Sequence, residues 1–204
     1  MNVPELWLYE QQARERGYEM ICGCDEAGAG PLAGPVYAAA VILPFGLEIP
    51  GLNDSKKLTE KKRETLFPVI QEKALAWAVA RVEAEEIDAT DILSARMKAM
   101  QLAIDALSVK AEYALIDGNR DKGKSFAIQT AHECLVKGDS LSASIAAASV
   151  LAKVSRDRWM VEAAKEYPEY CFEQHKGYGT KLHYEMLREH GPSPIHRRTF
   201  LKNL

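Results

Sequence analysis

The sequence predicts an α/β domain in which a sheet of five strands is flanked by helices. Three observations lead there. There are five apolar stretches of strand length, and four of them end at breaks containing Gly, Pro or Asp. Other segments repeat their apolar residues at the helical period. A chain of 204 residues, 47% hydrophobic and 27% charged, suits one full core in one domain.

Residues 4–16 read as a helix with Leu6, Leu8 and Ala13 on its apolar side and a stop at Gly17. Residues 20–25 read as a short strand and residues 35–43, rich in Val and Ala, as a longer one. The ten residues 26–35 that join them hold three glycines and two prolines, and residues 46–55 are a loop. Thr59 is placed to cap a helix running to about residue 72. Residues 74–82 alternate Trp77, Val79 and Val82 closely enough to be a third strand. Short or single-helix links favour antiparallel pairing among these three strands. Residues 90–107 form an amphipathic helix with Ile92, Leu93, Met97, Met100, Ile104 and Leu107 on one side, the methionines as core filler. Residues 112–116 are a fourth strand ending in Asp117-Gly118-Asn119, and residues 126–136 a fifth, broken at Lys137-Gly138-Asp139. Residues 140–166 form a long helix ended by Pro168, whose small residues from Ser144 to Ser149 allow close packing on a sheet. Residues 180–190 form a last helix, stopped by Gly191 and Pro192.

No window approaches the roughly 18 apolar residues that span a bilayer. Met1 to Glu5 lacks the basic and apolar regions of a secretory signal. Cys22, Cys24, Cys134 and Cys171 make no C-x-x-C pair, and Cys22 and Cys24 stand too close on one strand to bridge. The expectation is a cytoplasmic protein with reduced thiols. The net charge of -3 does not advertise a polyanion partner, but its distribution is uneven. Residues 53–63 carry five basic side chains against two acidic, residues 174–204 six against two, and acids gather at Glu83, Glu85, Glu86, Asp88 and Asp91. Such separation either steers a polyanion to one face or simply solvates helix faces.

Three strands or strand ends deliver acids beside glycine: Asp25 with Glu26, Asp117 before Gly118, and Asp139 after Gly138. Taken singly, each acid reads equally as a turn or cap residue. Gathered together, four carboxylates need a cation or shifted pKa values. Two divalent ions would neutralise them, and hard oxygen donors select Mg²⁺ or Mn²⁺ over zinc. Such a pair suits phosphodiester cleavage.

At these residues the chain closely resembles bacterial ribonuclease HII, over nearly its full length. The matching stretches are Gly23-Cys24-Asp25-Glu26-Ala27-Gly28, Gly30-Pro31-Leu32-Ala33-Gly34-Pro35-Val36, Asp54-Ser55-Lys56-Lys57-Leu58, Ile116-Asp117-Gly118-Asn119 and Lys137-Gly138-Asp139. They continue with Ser144-Ile145-Ala146-Ala147-Ala148-Ser149, Ala152-Lys153, Arg156-Asp157 and His175-Lys176-Gly177-Tyr178-Gly179-Thr180. The resemblance implies a ribonuclease H-like fold, a five-stranded mixed sheet flanked by helices, as one catalytic domain over residues 1–204 with about 165–204 a helical substrate-binding part. It implies cleavage of RNA in RNA–DNA hybrids and incision 5′ of single ribonucleotides in duplex DNA, leaving 5′-phosphate and 3′-hydroxyl ends. The metal-binding catalytic acids map onto Asp25, Glu26, Asp117 and Asp139, and the cofactors are two divalent ions, Mn²⁺ or Mg²⁺. The partner is an RNA–DNA hybrid or a ribonucleotide-containing duplex, and the protein a monomer. Lys56 lies near a nucleic-acid strand. Tyr178 matches a junction-reading tyrosine, whose ring packs on a deoxyribose that an added 2′-hydroxyl would crowd.

One position departs from the pattern. The family's Gly-Arg-Gly is here Gly28-Ala29-Gly30. Backbone groups that contact a 2′-hydroxyl survive, with glycines that allow close approach. The guanidinium fork does not. A non-cleaving binder on the same fold is the competing reading, opposed by the four intact acids. The sibling ribonuclease HIII usually carries an extra N-terminal domain, for which the roughly twenty residues before the first strand leave no room. His175, His183, His190 and His196 lack a tight zinc spacing and read as surface histidines.

Overall fold

Strand alternation decides the layers. The structure, a computed structural model, describes residues 5–53 and 55–201; Pro4 and Asp54, named above, lie outside them. The strands are β1 (Ile21–Ala27), β2 (Val36–Ile42), β3 (Ala76–Val82), β4 (Tyr113–Asp117) and β5 (His132–Leu135). The helices are α1 (Leu8–Glu15), α2 (Glu60–Lys73), α3 (Ala84–Ala89), α4 (Ile92–Asp105), α5 (Ala143–Glu166), α6 (Phe172–His175) and α7 (Lys181–His190). The sheet order is β3-β2-β1-β4-β5. β1, β2 and β3 pair antiparallel as expected, while β4 joins β1, and β5 joins β4, in parallel.

Successive strand residues face opposite ways. Cys22 and Cys24 of β1, Val36, Ala38, Ala40 and Ile42 of β2, and Ala114 and Ile116 of β4 pack towards Met97, Met100 and Ala103 of α4. Ala39 and Val41 face the other way, towards Ala147 and Leu151 of α5, with Leu66 and Ile70 of α2 behind. The sheet is therefore buried on both faces, which explains continuous apolar runs rather than alternating ones.

Helix α5 lies unusually close to β1. A Cβ on Gly23 would stand 2.1 Å from the Ile145 nitrogen and 2.2 Å from the Ser144 carbonyl carbon. The facing Ala146, Ala147 and Ala148 are wholly buried. The small-residue stretch thus lets backbone approach backbone, as the sequence implied. The one cap named from the sequence is present, Thr59 accepting from the Lys62 N–H; Asp91, Ser142 and Thr180 also cap α4, α5 and α7, all three inside the spans expected for those helices, which therefore begin later than expected. A smaller cluster, Leu32, Ala33, Met160, Tyr170, Phe172 and Leu187, fastens the C-terminal helices to the domain.

Three expectations need correction. β1 runs on through Glu26 and Ala27, so both acids lie within the strand. Helix α3 occupies part of the acidic stretch that the sequence left without an element. The fifth strand spans only His132–Leu135. Upstream, the Gln101 side chain accepts from the Gln129 and Thr130 N–H groups and the Asp121 carbonyl from Ile128, so that backbone is satisfied without a ladder.

Candidate active site

The parallel register of β1 with β4 places Cys24 opposite Ile116, so Asp25 and Asp117 follow at the same edge of the sheet. β5 ends at that edge too, and the chain then turns through a short 3₁₀ segment, Gly138–Ser140, that carries Asp139. Functional side chains of open α/β sheets gather at such carboxyl ends. Asp25 and Asp139 are buried, 3% and 4% exposed. A Cβ on Gly138 would lie 3.3 Å from Asp117 Oδ1 and 2.6 Å from Ile145 Cδ1, so a glycine is needed for the turn to close on Asp117.

The electrostatics show how near the acids lie. Burial holds the Asp25 carboxyl well above the usual carboxylate range, and the charges of Glu26 and Asp117 push it further; the Glu26 N–H and Lys56 act against this. Asp25 Oδ1 accepts that N–H at 2.7 Å. Lys56, three-quarters exposed at its side chain, has its Nζ 3.9 Å from Asp139 Oδ2. Its loop is fixed from beneath: Ser55 N–H donates to Ser149 Oγ of α5, and Arg63 donates to the Ser55 and Leu58 carbonyls.

Adjacent positions on a strand face opposite ways, and Glu26 accordingly points to the α4 side. There Arg96 makes an ion pair with Glu26 Oε1 at 2.7 Å. Glu26 Oε2 and Asp117 Oδ1 are buried without a hydrogen-bond partner among the described residues. Among the described residues, no group of three or more His, Cys, Asp or Glu is arranged to hold a metal ion as it stands. The donor set nonetheless fits a hard divalent cation. It is all carboxylate oxygen, it is desolvated, and two of its oxygens lack any other partner.

The second part of the site is the turn after β1. Gly28 has φ +93°, and a Cβ there would stand 2.0 Å from Arg156 Nε, so both conformation and space require glycine. Ala29 is half-buried; Gly30 is exposed, with open space where a Cβ would lie. Tyr178, 42% exposed, lies on the same side, with Lys153 Nζ 5.7 Å and Arg156 Cζ 5.6 Å from its ring centre. The structure thus brings the turn and Tyr178 together around Arg156, and Leu32 N–H donates to the Gly177 carbonyl at 2.8 Å between them.

Sequence reasoning missed several of these supports. Arg96 sits on a helix read only for its apolar side. Arg156 lay within a matched motif but had no role. Arg197, fully buried, carried no signal beyond its charge. The histidine expectation is overturned: His175, His183 and His196 are buried, and only His190 of the four is exposed. Burial lowers all three, His183 to about 4 and His196 to about 3, so they are neutral. His175 stacks on His183, and the three meet Phe172 and Tyr170 edge-on or tilted, a setting fixed by tertiary contacts rather than by sequence spacing.

Comparison with known proteins decides the family. The family model for ribonuclease HII matches residues 22–203. The chain belongs to the ribonuclease HII family. The ribonuclease HII of Marinomonas sp. (strain MWYL1) is 57% identical over 182 residues, covering 89% of this chain and 90% of that protein. The crystal structure of ribonuclease H2 from Pyrococcus horikoshii OT3 superposes with a TM-score of 0.72 at 26% identity, over 89% of this chain and 93% of that one. A structure of Bst-RNase HIII in complex with Mn²⁺, 20% identical, shares the fold with a TM-score of 0.60 over 88% of this chain and 65% of its own. The ribonuclease H fold implied by the motifs is the fold observed. Membership makes the chain a metal-dependent ribonuclease H, a hydrolase acting on RNA–DNA hybrids. Among the described residues no helix is long and apolar enough to cross a membrane.

Proposed function

We propose that this ribonuclease HII cleaves the RNA strand of hybrids and also incises 5′ of single ribonucleotides in duplex DNA, by phosphodiester hydrolysis that leaves 5′-phosphate and 3′-hydroxyl ends. Asp25, Glu26, Asp117 and Asp139 would hold two divalent ions, Mn²⁺ or Mg²⁺. The observation that carries this reading is the burial of Asp25 against Glu26 and Asp117, with unpartnered oxygens on the latter two. The four carboxylates outnumber Arg96 and Lys56, the cations beside them, and divalent cations would balance the rest where phosphate must sit. When bound, such ions supply charge to balance the acids and an acidified water suited to attack on phosphorus.

The chain's own residues supply the rest. Lys56, beside Asp139, presents a cation to the strand carrying the scissile phosphate. Gly28, Ala29 and Gly30 bring backbone groups within reach of a 2′-hydroxyl, which only RNA possesses. Tyr178 packs on the following deoxyribose. Read together, the turn recognises a ribonucleotide and Tyr178 the DNA that follows it. Ala29 leaves the first contact without a guanidinium, and substrate binding is weaker for it. The molecule acts as a monomer in the cytoplasm.

The test is one gel. A duplex with a single ribonucleotide is incubated with Mg²⁺, with Mn²⁺ and with EDTA. Incision 5′ of the ribonucleotide with either ion, and none in EDTA, is the expected result. Incision that persists in EDTA refutes the metal-ion reading, and intact duplex beside a cleaved hybrid refutes the single-ribonucleotide reading.

A further inference from the structure

Two neighbouring residues near the C-terminal end touch both parts of the substrate-reading surface from behind. Arg197 is fully buried, and Asp88 is the acid whose charge reaches it. Its guanidinium donates to three backbone carbonyls: Nη2 to Gly28 at 2.6 Å, Nη1 to Ala29 at 3.0 Å, and Nε and Nη2 to Gly34 at 2.9 and 2.8 Å. A rigid fork of five donors fits such a curved set of acceptors, and a lysine ammonium does not. Among the described residues every peptide bond is trans. A carbonyl turned to Arg197 therefore turns the next N–H away from it. The Ala29 and Gly30 N–H groups point away from the buried guanidinium, and among the described residues neither donates to the protein.

His196, the preceding residue, reaches the other part. The Ser193 N–H donates to His196 Nδ1 at 2.9 Å, which leaves the His196 proton on Nε2. That N–H donates to His183 Nε2 at 2.9 Å, so His183 carries its proton on Nδ1 and donates it to the Tyr178 carbonyl at 2.9 Å. Each link fixes the tautomer of the next, and the chain ends on the backbone of Tyr178. The backbone around the pair closes the frame. His196 bridges Ala33, Arg197 N–H donates to the Leu32 carbonyl, and Leu32 N–H donates to the Gly177 carbonyl. A Cβ on Gly177 would lie 2.5 Å from the Ala33 oxygen, so the two segments are in contact.

We propose that His196-Arg197 is a brace that sets the turn at Gly28-Ala29-Gly30 and the ring of Tyr178 at a fixed separation, and so positions the enzyme's selection of a ribonucleotide followed by DNA. The inference rests on the reading of those two elements as substrate contacts. Arg197, His196 and His183 are positioning residues, and none touches substrate. The brace also explains how a turn lacking its arginine side chain keeps an ordered backbone.

The test compares Arg197→Lys, His183→Gln and Tyr178→Ala with wild type on a single-ribonucleotide duplex and on a continuous RNA–DNA hybrid. Amide hydrogen exchange is measured on the same proteins without substrate. Arg197→Lys should speed exchange across residues 28–34, and His183→Gln across residues 177–180. His183→Gln should lower incision of the duplex about tenfold or more while hybrid cleavage falls less than about threefold, and Arg197→Lys, which loosens a turn that meets the 2′-hydroxyl of either substrate, should lower both about tenfold. Joining His183→Gln to Tyr178→Ala should cost no more than Tyr178→Ala alone. Equal losses on both substrates in His183→Gln, no loss in Arg197→Lys, or unchanged exchange in these segments overturns the brace. If Tyr178→Ala keeps the preference for the duplex, the reading of Tyr178 fails, and exchange alone then decides the brace. Should Arg197→Lys fail to fold, His183→Gln decides it.

Discussion

Asp25 carries an unresolved charge. It is 3% exposed, close to two other acids, and its hydrogen bond from the Glu26 N–H satisfies only part of it. In the absence of metal that charge opposes folding. Asp25→Asn keeps the acceptor oxygen and removes the charge, so in EDTA the variant should melt higher than wild type, by about 1 kcal/mol or more of stability, while cleavage is lost. A lower melting temperature would show that the acids are already compensated. Metal should produce the same relief. Mn²⁺ at about a hundred times its dissociation constant adds about 2.7 kcal/mol if it binds only the folded chain. Asp117→Asn should abolish the shift. Ala29 poses the opposite case, a missing charge. Ala29→Arg restores a fork near the sugar and should raise cleavage of the single-ribonucleotide duplex, on the order of 1–3 kcal/mol in transition-state binding. Steady-state kinetics at low substrate check it, and no gain would mean that the braced backbone already does what the side chain would.

At the scale of elements, the site depends on α5 lying against β1. Gly23→Ala places a methyl about 2 Å from backbone atoms of Ser144 and Ile145, which no rotamer change relieves. The helix must move, and the variant should lose ~3 kcal/mol or more in urea unfolding. Because Asp25 is two residues on and Asp139 precedes α5, Mn²⁺ affinity should fall with it. An unchanged urea midpoint would mean that the approach is looser than described. The sequence made the helix side of this packing legible, since a run of small residues on a helix marks close approach; the glycine of β1 that meets it was not read that way, though an isolated glycine in a strand is such a signal. It made the Thr59 cap and three of the strands legible for similarly local reasons. It did not reveal where residues 126–131 go, because a distant side chain, Gln101, satisfies their backbone. Nor did it reveal that Glu26 turns to Arg96. The four acids were legible as types at glycine-flanked breaks. Bringing Asp25 and Asp117 to one edge of the sheet needed the parallel pairing of β1 with β4, which no local pattern encodes.

At the scale of the whole molecule, the C-terminal helices are held on by groups that must stay neutral. His183 and His196 are buried, share one proton between their facing nitrogens, and sit near about 4 and about 3. Among the described residues the titratable groups whose charge weighs on His196 are His183, Arg198 and His175, and the one that weighs on His183 is His175; none of them is an acid. In the unfolded chain both histidines titrate near about 6.5. The sign follows. Their folded values are depressed, so the unfolded chain takes up protons that the folded one refuses as pH falls below about 6.5. Their contribution is complete above that pH and is lost progressively down to the folded values. Between pH 6.5 and 5 the loss is on the order of 2 kcal/mol for each histidine. Asp25 works the other way, since its raised carboxyl favours the folded state as pH falls, but it is common to any two proteins that differ only in the histidines. The double variant His183→Gln/His196→Gln should therefore melt lower than wild type at pH 7.5 and lose less on going to pH 5. Parallel melting curves over that range would mean that the pair is charged in the fold. The Tyr178 anchor in particular would then rest on an imidazolium, and the acid loss would have to come from elsewhere in the chain.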